Sequence, residues 1–494
     1  MLRVKREQSF SVKHEAFAYQ LQAVETIKEL EYAAIFHEQG LGKTKIAIDL
    51  SLLWIKSNLI DSVLIITKKG LIENWRQEIE NHAFVAPQIL DQDRNSNFHA
   101  FNSPARIYLA HYEVCRSELK RLKLFQKTRR LAVILDESQK IKNPDSSLTK
   151  CFFELSEGFV RRVVMTGTPI ANRPYDIWSQ IWFLDHGKSL GTDFNSFRDN
   201  LDLSNELGEN KGKTTKFEEE LSSLFSKIGS FSVRETKKSS GLTLPNKQID
   251  NVLVNFEGRQ FEIYKNIRDE LKTIVVKNGV PVLDESEELL KRILRLVQVA
   301  SNPVLIDEAY HDEPGKFPYL LNLLYEAIDG GSKAIIWTSF TGNANWLTSE
   351  LSEFNAVKVH GKLSIDDRNR AIKRFKENSD CKVLVATPGA AKEGLTLTVA
   401  NYAIFYDRTF SLDDYLQAQD RIHRISQEKA CYVYNLIMRD SVDEWVDVLL
   451  NAKHLAAQLG QGDIDKENYG RNVSYEFGRM LRQVLAIDDE SSVT

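Results

Sequence analysis

The sequence predicts an α/β protein with two parallel-sheet lobes, a helical protrusion between them and a helical C-terminal tail. Three observations predict it. The chain has 494 residues, more than one hydrophobic core holds, since single cores stop growing near ~250–300 residues. Short apolar runs alternate with segments of helical period from about residue 33 to 165, and again from 334 to 436. That alternation builds a parallel sheet covered by helices on both faces. Between the two stretches the alternation stops.

In the first lobe, residues 33–36 form an apolar run that ends at a glycine-rich turn. Residues 43–54 then place Ile46, Leu50 and Leu53 on one helical face. Residues 63–66 read as a buried strand, followed by a helix at 71–79. Further strands are expected at 106–109, 131–135 and 162–165. Residues 201–220 are polar, with Gly208 and Gly212, and read as a loop or an exposed helical tip. Helical spacing resumes over 260–305, where Leu289, Ile293, Leu296 and Val297 recur at helix intervals. Strands at 334–338, 356–359, 382–386, 402–406 and 431–436 make the second sheet. The last forty or so residues lose this pattern and read as a helical tail. The expected division is 1–245, 246–312, 313–454 and 455–494, and no short tandem repeat is visible.

Hydrophobic residues make up 42% and charged residues 27% of the chain, a folded rather than a disordered composition. No apolar run approaches the ~20 residues that span a bilayer. Residues 1–10 carry charge with no apolar core after them, unlike a secretory signal. Cys115, Cys151, Cys381 and Cys431 are far apart and form no Cys-x-x-Cys pair, which points away from zinc and toward a reducing compartment. A net charge of −4 neither supports nor excludes nucleic acid, because a phosphate-gripping surface needs only local positive charge.

Three stretches carry chemistry. Gly40-Leu41-Gly42-Lys43-Thr44 lies between an expected strand and an expected helix, the setting of a phosphate loop for ATP. There Lys43 would reach the terminal phosphates and Thr44 would ligate Mg2+. The strict pattern asks for glycine at position 37, where the chain has His37; an ordinary glycine-rich turn is the plainer alternative. Asp136-Glu137 follows the run 131–135, read as neighbouring the phosphate-loop strand. Asp136 would hold the metal, and Glu137 would orient and deprotonate the attacking water. Alone, such a pair is more often an acidic helix N-terminus, and the phosphate loop upstream is what favours the metal reading. The third stretch is Gln417 to Arg424. On a continuous helix, Gln417, Arg421 and Arg424 share a face, and the two arginines could neutralise charge on a transferred phosphoryl group. The alternative is a solvated basic face. If all three stretches act together, the site is completed only when the lobes close, which ties hydrolysis to movement.

In order and wording these stretches resemble the Swi/Snf family of superfamily-two helicase-like ATPases, in a form close to a minimal bacterial or phage-like member. The resemblance runs from about residue 17 to 453 and implies two RecA-like lobes, 1–245 as the ATP-binding lobe and 313–454 as the helicase C-terminal lobe. Ala18-Tyr19-Gln20 resembles the adenine-reading motif, with Gln20 as the base contact. Residues 67–75 and 108–113 resemble the next two motifs. Residues 136–143 resemble the metal motif with its Lys-Asn extension, although Gln139 stands where His is usual. Residues 166–172 resemble the third motif. Residues 231–238 and 294–303 resemble the linker and protrusion that separate this family from DEAD-box helicases. Residues 387–397 resemble the fifth motif, which places Gly394 at the nucleotide, and 417–427 the sixth. For nucleic acid, the resemblance implies Thr67 and Lys68 in the first lobe and Thr338, Ser339, His360, Gly361 and Thr387 in the second. Hydroxyls and backbone amides of that kind hold phosphates without reading sequence. Trp75, Trp178 and Trp182 are expected in the core rather than stacked on bases.

The expected function is a DNA-dependent ATPase that moves along or remodels duplex DNA or protein–DNA complexes, in the cytoplasm of a bacterial or virus-infected cell. A strand-separating or branch-migrating helicase is the second reading. A nucleotide-gated DNA clamp within a larger assembly is the third.

Overall fold

The computed structural model describes residues 9–91, 93–170, 172–203, 205–208, 210–277, 287–391 and 396–484. The chain forms two compact units. One comprises Met1–Asp202, Glu220–Leu242 and Gly460–Gly462; the other comprises Leu203–Glu219, Thr243–Leu459 and Asp463–Thr494.

Among the described residues the first unit holds seven strands: β1 (Tyr32–Ile35), β2 (Ser62–Thr67), β3 (Gln88–Leu90), β4 (Ile107–His111), β5 (Leu131–Asp136), β6 (Arg161–Met165) and β7 (Ser232–Val233). Their order across the sheet is β3-β4-β2-β5-β6-β1-β7, and every pairing is parallel. The near-continuous apolar runs follow from this, because helices cover both faces and leave no wet side. All six residues of β2 and of β5 are buried. Ile46, Ala47 and Leu50 of the helix Lys43–Lys56 and Trp75 and Ile79 of the helix Ile72–His82 pack into one core with β2, β4 and β5.

One expectation is corrected here. β5 does not neighbour β1, the strand that leads into the loop Gly40 to Thr44: β6 lies between β1 and β5. All three strands still deliver their carboxyl ends to the same edge of the sheet, where ligands of parallel sheets bind.

The second unit holds β8 (Lys247–Val254), β9 (Ala334–Trp337), β10 (Val357–Val359), β11 (Val383–Ala386), β12 (Tyr402–Phe405) and β13 (Cys431–Met438). Their order is β10-β11-β9-β12-β13-β8, again all parallel. Separate buried clusters fill its two faces. One gathers Trp337, Phe375, Phe405 and Ile422; the other gathers Leu320, Leu324, Leu347 and Tyr406.

Strands β3, β7 and β8 were not expected. β3 and β7 have three and two residues, too short to show a period. β8 is a half-exposed edge strand, and its Gln248, Asp250 and Asn251 break up the apolar pattern. Helices at Gly258–Lys277 and Glu287–Ser301 match the helical spacing read over 260–305.

Candidate functional site

The loop after β1 supplies the first part. Gly40 and Gly42 have φ of 88° and 69°, left-handed values that glycine adopts without the Cβ penalty. Gly42 caps the helix Lys43–Lys56, so the first amides of that helix face the loop. The loop is held from behind by Gln20, which is 3% exposed. Its Nε2 donates to the Leu41 carbonyl at 3.1 Å and its Oε1 accepts from the Phe17 amide at 3.0 Å. The Tyr19 hydroxyl donates to the same Leu41 carbonyl at 3.0 Å. A Cβ on Gly42 would sit 2.4 Å from Gln20 Nε2. Lys43 is folded back, donating from Nζ to the carbonyls of His37 (3.0 Å) and Glu38 (3.4 Å).

His37, where the strict motif has glycine, is 2% exposed. Neither ring nitrogen has a hydrogen-bond partner, and the Val233 backbone lies near the ring without bonding geometry. Burial, and then the Lys43 cation, push its pKa down to about 4, so the imidazole is neutral.

Asp136 ends β5. Its Oδ2 accepts from Thr67 Oγ1 (2.9 Å) and Trp75 Nε1 (2.8 Å), and its carbonyl accepts from the Tyr112 hydroxyl (2.8 Å). Burial and the adjacent Glu137 raise its pKa above the usual carboxylate range, opposed by those two donors. Glu137 has φ 53°, a conformation that costs a non-glycine residue ~1–2 kcal/mol and marks a site under constraint. Lys68 Nζ lies 3.7 Å from its carboxylate, which also accepts a hydrogen bond from Gln139. Thus Thr67 is buried against Asp136, and Lys68 pairs with Glu137; the structure brings both to the carboxylate pair.

The segment through β7 runs along the same loop. The amides of Ala34, Phe36 and Glu38 donate to the carbonyls of Phe231, Val233 and Glu235 at 2.8–2.9 Å. Arg234 donates to the Phe36 carbonyl at 2.7 Å, and Glu38 accepts the Lys237 amide at 2.7 Å with Lys237 Nζ 3.7 Å away. Lys237 is thereby clamped to Glu38, just before the loop Gly40 to Thr44.

In the second unit, Thr338 is fully buried and its hydroxyl donates to Asp407 Oδ2 at 2.6 Å. The Ser339 amide donates to Asp407 Oδ1 at 2.6 Å. Ser301 Oγ donates to Asp407 Oδ2 at 2.7 Å, and Asn343 Nδ2 reaches Ser301, Thr338 and Asp407. His360 is buried, with Nε2 3.2 Å from Asn345 Oδ1. Exposed Gly361 accepts from Arg368 at 2.8 Å. The Thr387 amide donates to the Val359 carbonyl at 3.0 Å. Gly394 lies outside the described residues.

The expected continuous helix through Gln417, Arg421 and Arg424 is corrected. The helix is Leu412–Gln419, capped at Asp420, and Arg421 and Arg424 lie in the turns that follow. Gln427 explains the break. Its buried Nε2 donates to the carbonyls of Ile422 (2.8 Å), Ala400 (2.9 Å) and Thr398 (3.3 Å), while its Oε1 accepts from the Glu428 and Lys429 amides. These bonds hold the chain in turns. Gln417 donates to Asp413 at 2.7 Å, and Arg424 donates to Thr396 and to the Asp420 carbonyl, each at 2.9 Å.

A family model described as the SNF2-related domain matches residues 19–305, more than half of the chain. The chain belongs to the SNF2-related family. A helicase conserved C-terminal domain model matches residues 315–426. An uncharacterized ATP-dependent helicase of Mycoplasma genitalium is 29% identical, with 93% of this SNF2-related chain and 43% of that protein covered. The ATP-dependent DNA helicase DDM1 of Arabidopsis thaliana is 26% identical over 92% of this chain and 62% of its own. The SWI2/SNF2 ATPase core of Sulfolobus solfataricus in complex with dsDNA is 24% identical, with 95% and 99% of the two chains covered at a TM-score of 0.43. The chain spans less than half the length of the first two curated relatives it matches.

Membership in the SNF2-related family implies use of ATP, and the first unit's residues fit that substrate. Lys43 rests on backbone carbonyls from which a phosphate could draw it. The Asp136 oxygen Oδ2 is engaged by two donors, and no bond to its Oδ1 is seen among the described residues. Among the described residues no helix is long and apolar enough to cross a membrane. Asp407, Gln427, Tyr112 and the bond from Trp75 to Asp136 were missed by sequence reading. Asp407 was signalled by its position after an apolar strand, like that of Asp136, and Trp75, Tyr112 and Gln427 only by lying in the stretches 67–75, 108–113 and 417–427 that resemble family motifs.

Proposed function

We propose that the chain is a DNA-dependent ATPase that couples ATP hydrolysis to movement along duplex DNA, or to remodelling of protein–DNA complexes, without separating strands. The observation that carries the reading is the carboxylate pair: Asp136 fixed by Thr67 and Trp75, with Glu137 held at φ 53° beside it. In this reading Lys43 binds the terminal phosphates, Gln20 reads the base, and Glu137 takes the proton from the attacking water. Thr44 and Asp136 would hold Mg2+, which supplies charge neutralisation on the phosphates. Arg421 and Arg424 act as charge-neutralising groups, with Gly394 and Gln417 at the nucleotide; this rests on the resemblance of their motifs. Of the residues assigned to nucleic acid, Lys68, Ser339 and Gly361 are reachable from solvent. Thr67 and Thr338 act behind them, each on a buried carboxylate, and His360 and Thr387 are also buried. Relatives named as an ATP-dependent DNA helicase and as a chromatin-remodeling complex ATPase support the reading. All four cysteines are buried thiols, consistent with placement in the cytoplasm.

The test is ATPase rate without nucleic acid and with single-stranded DNA, duplex DNA or RNA. Duplex DNA should stimulate most, and Glu137→Gln should lower kcat by about 10²–10⁴-fold while nucleotide still binds. Normal turnover by Glu137→Gln would refute the assignment of the base. Efficient unwinding of a forked duplex would favour the helicase reading, and ATPase indifferent to DNA the clamp reading.

A further inference from the structure

A cavity of about 480 Å³ lies in the second unit, and none of the residues assigned above lines it. One wall is the 3-10 turn Asn205–Gly208 and the start of the helix Lys211–Ile228; the other runs from Tyr475 through the helix Phe477–Val484. The walls meet because position 208 is glycine: a Cβ there would sit 2.7 Å from the Tyr475 carbonyl oxygen. The Tyr475 hydroxyl bonds Glu218 (3.2 Å) and Tyr469 (3.0 Å), which fixes the second wall to the first.

The lining is strongly basic. Lys211, Arg479 and Arg482 face it, against one carboxylate, Glu476, which lies 3.4 Å from Arg479. Arg479 and Arg482 are one helical turn apart and share a face. The lining hydroxyls of Thr214 and Thr215 donate to the carbonyls of Leu207 and Lys211. Protons for a ligand therefore come from the cations. Guanidinium forks match phosphate oxygens in pairs. A site that recognises by charge, with its tyrosine hydroxyl already engaged, suits a phosphate backbone and reads no base sequence.

We propose that this cavity is a second phosphate-binding site, separate from the motor motifs, that holds the backbone of the nucleic acid beyond the segment on which the motor acts. The proposal rests on the DNA-motor reading and adds a contact to it.

The test is binding of the full chain to a long duplex, and to one too short to extend past the motor, measured by fluorescence anisotropy. Each phosphate contact contributes about 0.9 to the salt slope, so raising salt from about 50 to 200 mM weakens binding about 3.5-fold per contact. Arg479→Gln/Arg482→Gln should reduce that loss by about 12-fold on the long duplex, corresponding to two contacts, and leave the short duplex and the DNA-free ATPase rate unchanged. Glu476→Gln should act in the opposite direction, tightening the long duplex and steepening its slope, which guards against mere misfolding of the double variant. Unchanged slopes in both variants overturn the proposal. Pyrophosphate titrated into wild type and the double variant by calorimetry tests the site without DNA. Loss of pyrophosphate binding with unchanged DNA slopes would assign the cavity to a free phosphate compound and overturn the nucleic-acid assignment. Absence of DNA-stimulated ATPase in the wild type would instead count against the motor reading.

Discussion

Asp407→Asn removes one charge and almost no volume, so it isolates what that carboxylate does. Asp407 is 3% exposed and receives Thr338 Oγ1, the Ser339 amide and Ser301 Oγ at 2.6–2.7 Å, with Asn343 Nδ2 at 3.4 Å. A backbone N–H cannot reverse, so the asparagine oxygen must face Ser339. Its amide group then faces the two hydroxyls, which must turn to accept and lose the acceptor for their own protons. Three short bonds to a charged oxygen become neutral ones, and charged bonds are about twice as strong. At roughly 1 kcal/mol lost per bond, the variant should be less stable by about 3 kcal/mol. The assay is urea unfolding of the full chain, comparing midpoints at constant m. Asp407→Ala, which strands all the donors, should cost more. Stability of Asp407→Asn within about 0.5 kcal/mol of wild type would refute the reasoning, since a shift that small is what an ordinary surface change gives.

Two further outcomes follow from the first unit. Gly42→Ala places a Cβ 2.4 Å from Gln20 Nε2 at φ 69°; strain and the lost bond to Leu41 together should cost about 2–3 kcal/mol. In a Gln20→Ala background the same change should cost about 1 kcal/mol less, and a double-mutant cycle without that coupling would break the link between Gln20 and the loop. His37 has its folded pKa lowered from 6.5 to about 4, so its contribution to stability is complete above pH 6.5 and is lost as pH falls toward 4. The loss amounts to about 3 kcal/mol, and His37→Asn should remove that part of the acid slope of unfolding; an unchanged slope in the variant would show that the imidazole is not the group responsible.

The sequence by itself determined the two parallel-sheet units, the loop Gly40 to Thr44 and the pair Asp136-Glu137. Each is local. Apolar runs of four to six residues declare buried strands, glycines declare left-handed turns, and a carboxylate directly after such a strand is carried to the ligand edge by the strand itself. The tertiary structure alone decided who holds these groups. Thr67 and Trp75 reach Asp136 from 69 and 61 residues away, and Ser301 reaches Asp407 from 106. The strand leading into the loop Gly40 to Thr44 is zipped at residues 34, 36 and 38 to residues 231, 233 and 235 by backbone bonds that any side chains would allow. The same limit explains the two corrections. Strand order depends on which crossover passes over which, so β6 between β1 and β5 leaves no trace in either strand's residues. The helix that was expected to continue to Arg424 ends at Gln419, because Gln427 takes three carbonyls from two separate segments. Local periodicity cannot register a hydrogen bond whose partner lies elsewhere in the chain, and those bonds place the residues that the motifs only name.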